Sequence, residues 1–307
     1  MKFPLSHPDL EPYQRYFQEP ASPSQMGLSV TFLGVSTLLL DDGQTAIMTD
    51  GFFTRPGKFA VIGGRIAPNR ATVSAALQRA GVTELAAVVC AHSHYDHALD
   101  SPIVAELTGA VVVGSESTAN ICRGAELPAD QILVATTGVP MQFGDFTITL
   151  VESRHTPKAH YPGKIDHPVV PPAKASTWAM GEVYSVIIEH RGRTLVLQAS
   201  TNFVSKALDG FSAEVVYLGI ATLGKQTPAF FEDYWREVVV AVGAQTVIPV
   251  HWDDFFVSLD EPLRPFPYVA DNFDVSLKLL IDRAERDGIT LELPVAWQRT
   301  DPFARVS

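Results

Sequence analysis

His92-Ser93-His94-Tyr95-Asp96-His97 packs three imidazoles and a carboxylate into six residues. These are the side chains that bind divalent ions and exchange protons near neutral pH. The string follows Leu85-Ala86-Ala87-Val88-Val89-Cys90, an apolar run that reads as a buried strand. In extended chain His92 and His94, two residues apart, point to the same side. The strand thus delivers them to one point at a sheet edge, with Asp96 and His97 turning toward a neighbouring position. A polar loop with histidines clustered by chance is the bland alternative, but packing gives no reason for an HxHxDH string in that place.

Two further histidines sit in similar positions. Arg154-His155 follows the strand-like run Phe146-Thr147-Ile148-Thr149-Leu150-Val151, and His251 follows Thr246-Val247-Ile248-Pro249-Val250. Three strands ending in imidazole at one rim can build a site from residues far apart in the chain.

The elements that must hold these residues follow from hydrophobic spacing. Strand-like runs cover 28–34, 36–40 and 45–50, and a helical spacing of Ala71, Val73, Ala76, Leu77 and Ala80 predicts a helix over 71–80. After the histidine string come a helix through Ile103–Leu107, a strand at 110–113, and further strand-like runs at 132–135, 145–152, 183–190 and 193–198. A helix over 230–242 leads into the strand before His251, and an amphipathic helix at about 272–286 covers the second half. Gly219–Gly224 with Lys225 reads as a loop after a strand. Residues 1–27, rich in proline, read as an extended arm, and 156–180, with Pro157, Pro162, Pro168, Pro171 and Pro172, as a long functional loop. Because this loop leaves directly after His155, it is placed to act as a lid, with Lys158, His160 or Tyr161 meeting a leaving group or an anion. A surface crossing with no chemical role is the alternative.

On these motifs the chain resembles the metallo-β-lactamase superfamily, from about Leu28 to about Phe256. Thr31–Leu40 followed by Ala46–Asp50 is similar to the opening hairpin of its branch of sugar-phosphate lactonases and N-acylphosphatidylethanolamine phospholipase D-like enzymes. The resemblance implies a four-layer αβ/βα sandwich with mixed sheets and one or two metal ions on its rim. Residue by residue, it implies His92, His94 and His155 around a first divalent ion, and Asp96, His97 and His251 around a second. Imidazoles with few carboxylates suit zinc, with manganese or iron as alternatives, and the absence of thiolates argues against a closed structural site. Cys90, by strand alternation, belongs to the core. Asp50 resembles a family carboxylate that orients the metal loop; its other reading is a turn-forming aspartate before Gly51.

The chain departs from the family at one telling position. An aspartate that bridges the two metals normally follows a hydrophobic strand between the third and last histidines. Here Thr194-Leu195-Val196-Leu197 runs into Gln198-Ala199-Ser200-Thr201-Asn202, and Ser200 stands where that aspartate would be. A neutral hydroxyl bridges two cations poorly, so the second metal is expected to be the weaker. Recruitment of another carboxylate, Asp100, Asp253 or Asp254, is an alternative, as is completion of the site by an anionic substrate group.

Composition sets wider limits. With 307 residues, 46% hydrophobic, and no break in character, the whole of 1–307 reads as one domain. A net charge of −11 without any basic cluster weighs against nucleic acid as partner. No run approaches the roughly 20 apolar residues of a membrane span, the first 18 residues lack the apolar block of a signal peptide, and two cysteines make no disulfide framework. Cytoplasmic residence and a small-molecule substrate are the expectations; oligomeric state leaves no mark.

The implied activity is metal-dependent hydrolysis. A bound divalent ion lowers the pKa of its water to about 7, making hydroxide available at neutral pH, with Asp96 as the residue that orients this nucleophile. The bond attacked is an ester, lactone, amide or phosphodiester of a small, anionic substrate. No Gly-x-Ser-x-Gly elbow offers a covalent route. The competing reading is an inactive or weakly active metal- or ligand-binding member of the fold, and Ser200 is the residue that feeds it.

Overall fold

The computed structural model describes residues 3–20 and 27–306. Strands β1 (Ser29–Phe32), β2 (Leu38–Asp41), β3 (Ala46–Thr49), β4 (Ala87–Val89), β5 (Val111–Gly114) and β6 (Ile132–Val134) form most of a first sheet. The second consists of β7 (Met141–Phe143), β8 (Phe146–Glu152), β9 (Tyr184–His190), β10 (Arg193–Gln198), β11 (Val215–Gly219), β12 (Thr246–Val250) and β13 (Thr290–Leu291), and β14 (Arg299–Thr300) returns to the first beside β1. Both sheets have seven strands and the same pairing pattern. In order β14-β1-β2-β3 the pairs are antiparallel and β3-β4-β5-β6 are parallel. In the second sheet β7-β8-β9-β10 are antiparallel and β10-β11-β12-β13 parallel.

Helices α1 (Lys58–Gly63), α2 (Arg70–Ala80), α3 (Tyr95–Ala98), α4 (Ser101–Thr108) and α5 (Glu116–Gly124) belong to the first half, α6 (Pro228–Trp235) and α7 (Phe273–Asp287) to the second. Strand alternation sorts the core. Ala87, Val89 and Ala91 join Leu38, Leu40 and Ile47 against Ile148, Leu150 and Val186 of the facing sheet. Val88 and Cys90 face the other way, into a cluster with Val73, Leu77 and Val104 from α2 and α4. Phe231, Trp235 and Leu277 of α6 and α7 cover the second sheet. The result is the expected αβ/βα sandwich, with Cys90 in the core and its thiol 3.2 Å from Ser101 Oγ.

Most predicted elements are present, and the departures have local causes. The run 36–40 begins pairing only at Leu38, because Gly34, Val35 and Ser36 turn the chain between β1 and β2, with Thr37 N donating to Gly34 O. The helix expected over 230–242 starts at Pro228: Thr227 Oγ1 caps Phe230 N, and proline is well suited to a first helical position. Its last stretch, Arg236–Val240, widens into a π-helix. Within the N-terminal segment, Glu11–Tyr16 is a short 3-10 turn, Tyr13 packs edge-on to Phe273, and Gln18 N donates to Leu293 O; residues 1–2 and 21–26 lie outside the described residues. The segment 156–180 divides: beyond Gly163, Ile165, Val169 and Trp178 are buried in the helix-side core, and Ile66 and Ala173 exchange backbone hydrogen bonds.

One buried ion pair joins the two halves close to the histidine string. Arg55, beyond β3, places its guanidinium 2.6 Å from Asp253, beyond β12, and both side chains are fully buried. Asp253 also accepts from Val35 N, and Arg55 donates to Val257 O. Gly34 is obligatory here, since a Cβ would lie 1.9 Å from the guanidinium at a backbone φ of +88°. Removing one partner strands the other charge in the core, so Arg55→Met should cost about 3–5 kcal/mol. Urea titration checks this through its midpoint; a loss within noise would mean that water solvates the pair.

Candidate metal centre

Strands β3 and β4 share a direction in the first sheet, as do β8, β10 and β12 in the second, and each carries a polar residue at or just past its carboxyl end: Asp50, His92, His155, Ser200 and His251. That end of parallel strands is where open α/β sheets collect ligands. After β4 the chain makes a sharp loop, then one helical turn, α3, in which His94 is the residue before the turn and Asp96 and His97 lie on it. This turn is how six consecutive residues present four side chains to one volume.

The structure brings His155 and His251 to that volume. Nitrogens of His92, His94 and His155 lie within 4.8 Å of one another, as do one atom each from Asp96, His97 and His251. His92 Nε2 is 3.2 Å from His94 Nδ1. The His155 ring lies 4.9 Å from that of His92 and 4.6 Å from that of His94. In the second group, Asp96 Oδ2 is 3.5 Å from His251 Nε2 and 3.8 Å from His97 Nε2. The His92 and His97 rings, 3.8 Å apart, join the two groups.

Asp50 organises this arrangement from behind. One carboxylate oxygen accepts from Ala91 N at 2.9 Å; the other accepts from Ser36 Oγ at 2.6 Å and from His97 Nδ1 at 2.8 Å. With Nδ1–H so engaged, His97 turns Nε2 toward Asp96 and His251. That nitrogen is buried and has no hydrogen-bond partner among the described residues. A buried imidazole lone pair without a partner is costly unless something electrophilic meets it, and a divalent ion is the species that fits.

Protonation states agree with such a fit. Burial, then the neighbouring His97 and His94, hold His92 well below the usual imidazole range, and burial with His94 takes His155 down to about 3. Burial also lowers His94. These rings are neutral and keep lone pairs. For Asp96, burial would raise the carboxyl, but His97 and His251 outweigh it and hold it well below the carboxylate range. His97 differs: burial pulls it down while Asp50 and Asp96 push it up more strongly, which favours a proton on Nε2 that a divalent ion would have to displace.

Backbone contacts fix the two remote histidines. His251 N donates to Val35 O at 2.6 Å, with His251 and Val35 both at positive φ. Asn202 Nδ2 donates to His155 O, and Thr201 N to Thr156 Oγ1. Gln198 holds this loop, its amide donating to Ser153 Oγ and to the carbonyls of Ser200 and Asn202. Ser200 thereby lines the same cavity as Asp96, His155 and His251. The other carboxylates considered from sequence are committed elsewhere. Asp100 accepts from Phe53 N, Thr54 N and Thr54 Oγ1, Asp253 binds Arg55, and Asp254 accepts from Phe256 N. In a separate group, Asp42, Asp145 and His190, Arg191 pairs with both carboxylates and His190 with Asp42.

The centre opens into a cavity of about 380 Å³. Lys158, His160 and Tyr161 line it, as do Ala221 and Thr222, whereas Lys225 turns away to donate to the carbonyls of Val269 and Ala270. Tyr161 contributes through its backbone as well, its carbonyl lying 3.3 Å from His94 Nε2 and also accepting from Met180 N. Sequence reasoning missed Phe255, Phe256 and Phe266, which line the same cavity, and the buried Asp271, whose carboxylate accepts from Thr222 N. Phe255 and Phe256, only four and five residues past His251, could have been flagged by that proximity; Phe266 and Asp271 carry no such signal.

Comparison with known proteins agrees with the geometry. A model of the β-lactamase superfamily domain matches residues 46–252. A UPF0173 metal-dependent hydrolase from Heliobacterium modesticaldum is 33% identical over 96 residues, which is 31% of this chain and 33% of that protein, so the likeness spans about a third of the relative. Among solved structures, the metallo-β-lactamase fold protein YhfI from Bacillus subtilis superposes with a TM-score of 0.50 at 15% identity, over 89% of this chain and 98% of that one. CmlA, a diiron β-hydroxylase from Streptomyces venezuelae, gives 0.54 at 14% identity, over 91% of this chain and 54% of its own. With the family model covering most of the chain and the sandwich built as described, the chain belongs to the metallo-β-lactamase superfamily.

Proposed function

We propose that the protein is a metal-dependent hydrolase acting on an ester, lactone, amide or phosphodiester bond of a small substrate. The observation that carries this reading is the pair of donor triads, each within 4.8 Å, with His94, Asp96, His155 and His251 lining one cavity. His92, His94 and His155 would hold one divalent ion, and Asp96, His97 and His251 a second; zinc suits this donor set best. When bound, such ions supply Lewis acidity and lower the pKa of water to about 7.

The chain's own residues do the rest. Asp96, kept ionised by His97 and His251 and facing the cavity, accepts a hydrogen bond from the attacking water and orients it. Asp50 fixes the His97 ring so that Nε2 faces the donors. Lys158, exposed on the lining, meets an anionic substituent or the departing group. The buried walls around His92 and His97 keep bulk water from these charges, which strengthens each interaction.

Ser200 decides the balance between two ions. Two divalent ions bring four positive charges, and among the six proposed ligands only Asp96 is negative, so one ion is held tightly and the other less so. Ser200 also supports a second reading, a scaffold that binds metal or ligand without turnover.

Chelation separates the two readings. Hydrolysis of chromogenic esters, lactones and phosphodiesters should fall to background after chelator treatment, return with zinc, and be absent in His94→Ala; a rate indifferent to all three would leave the binder. Asp50→Asn, which retains a residue tolerant of the φ of +56° there, should weaken metal binding about 10–100-fold, read by competition with a fluorescent zinc chelator. Ser200→Asp should take tightly held metal from about one to about two ions per chain, by elemental analysis after dialysis. Two firmly held ions in the unaltered protein would contradict the charge argument.

A further inference from the structure

Part of the cavity wall is aromatic, and its rings are only half-buried. Phe255, Phe256 and Phe266 each retain solvent exposure, although large apolar side chains gain most by complete burial. Their ring centroids are 5.0, 4.9 and 6.1 Å apart, and Phe266 stands at 83° to both others, leaving edges and faces turned to the space between. The wall starts at the metal centre itself: the Phe255 ring lies 5.8 Å from His251 and 6.3 Å from Tyr95. On the lip Ile62 is 80% exposed, so the apolar surface reaches the mouth. The segment from Thr156 to Tyr161 brings Lys158 and His160 to the same lining.

We infer that the cavity takes a substrate with an aromatic ring next to the bond to be cleaved, seated against Phe255, Phe256 and Phe266. This deepens the proposed function and rests on its reading of the cavity as the substrate site. Three arguments favour one ring over a long chain. Edge-to-face ring contacts at centroid distances of 4.5–7 Å gain more than area burial alone, and the phenylalanines already stand at such spacings and angles. A volume of about 380 Å³ is near the lower end for small-molecule sites, which suits a ring with its reacting group. The lining combines these phenylalanine rings with Lys158, His160 and Asp96, so it suits a substrate that has both an apolar and a polar part.

The test uses two matched pairs on zinc-loaded protein. By calorimetry, 3-phenylpropanoate should bind about tenfold more tightly than butanoate, since burying one ring is worth about 1.4 kcal/mol or more, and Phe266→Ala should remove most of that difference. Phe256→Ala serves as the second variant, and thermal melting shows whether each remains folded. In turnover, the ratio of kcat/KM for γ-phenyl-γ-butyrolactone over γ-valerolactone should be similarly large and should shrink in the same variants. Equal binding of the two carboxylates to the unaltered protein, or a preference untouched in both variants, overturns the inference. Absence of any lactone, ester or phosphodiester turnover would sink the hydrolase reading alone, because the calorimetry decides this one independently.

Discussion

A single buried carboxylate governs the rim of the sandwich. Asp50 is out of contact with solvent, and an unpaired charge there would be prohibitively costly. It is tolerable only because Ala91 N, Ser36 Oγ and His97 Nδ1 all donate to it. These donors come from the strand carrying the histidines, the turn after β1, and α3, so satisfying one charge fixes three segments relative to one another. The backbone accepts a left-handed φ at Asp50 to aim the carboxylate inward. Beyond it, Ser101 Oγ donates to Asp50 O, binding α4 to the same point. The orientation of His97, and through it the meeting of the two donor groups, follows from this network.

How much of this could be read in the chain depended on whether the responsible residues are neighbours. The HxHxDH string was legible because one strand end and one helical turn present all four side chains. His155 and His251 were legible for a related reason: each follows an apolar run long enough to be recognised as a strand. Ser200 was visible as an anomaly at a strand end. The helix α5 was not seen, since most of the side chains it buries, Ser117, Thr118, Ala119 and Asn120, are polar or small, and a search for the spacing of apolar residues passes over them. The tether between Tyr161 O and His94, the Arg55–Asp253 pair and the aromatic wall escaped too. They depend on contacts between distant segments that no local pattern encodes.

The parallel between the two sheets explains why the site lies where it does. Each half lays down antiparallel strands and then parallel ones, and the first strands to pair in parallel end in Asp50 on one side and near Ser200 on the other. Carboxyl ends from both halves therefore crowd a single rim. One half supplies the dense histidine string with its supporting carboxylate, and the other supplies single histidines on separate strands.

That division has a consequence for assembly. As the polypeptide leaves the ribosome, four of the six donors emerge early, yet His155 and His251 belong to the later sheet, and the last of them follows more than a hundred and fifty residues behind the first. Contacts so distant along the chain form late, after loop closure has been overcome. A cation bound by the early string alone would therefore leave the architecture incomplete, unlike the ion of a small zinc finger, whose ligands lie close together in a short chain. An ion would find all six donors together only once both halves have docked, so its capture would report on their docking.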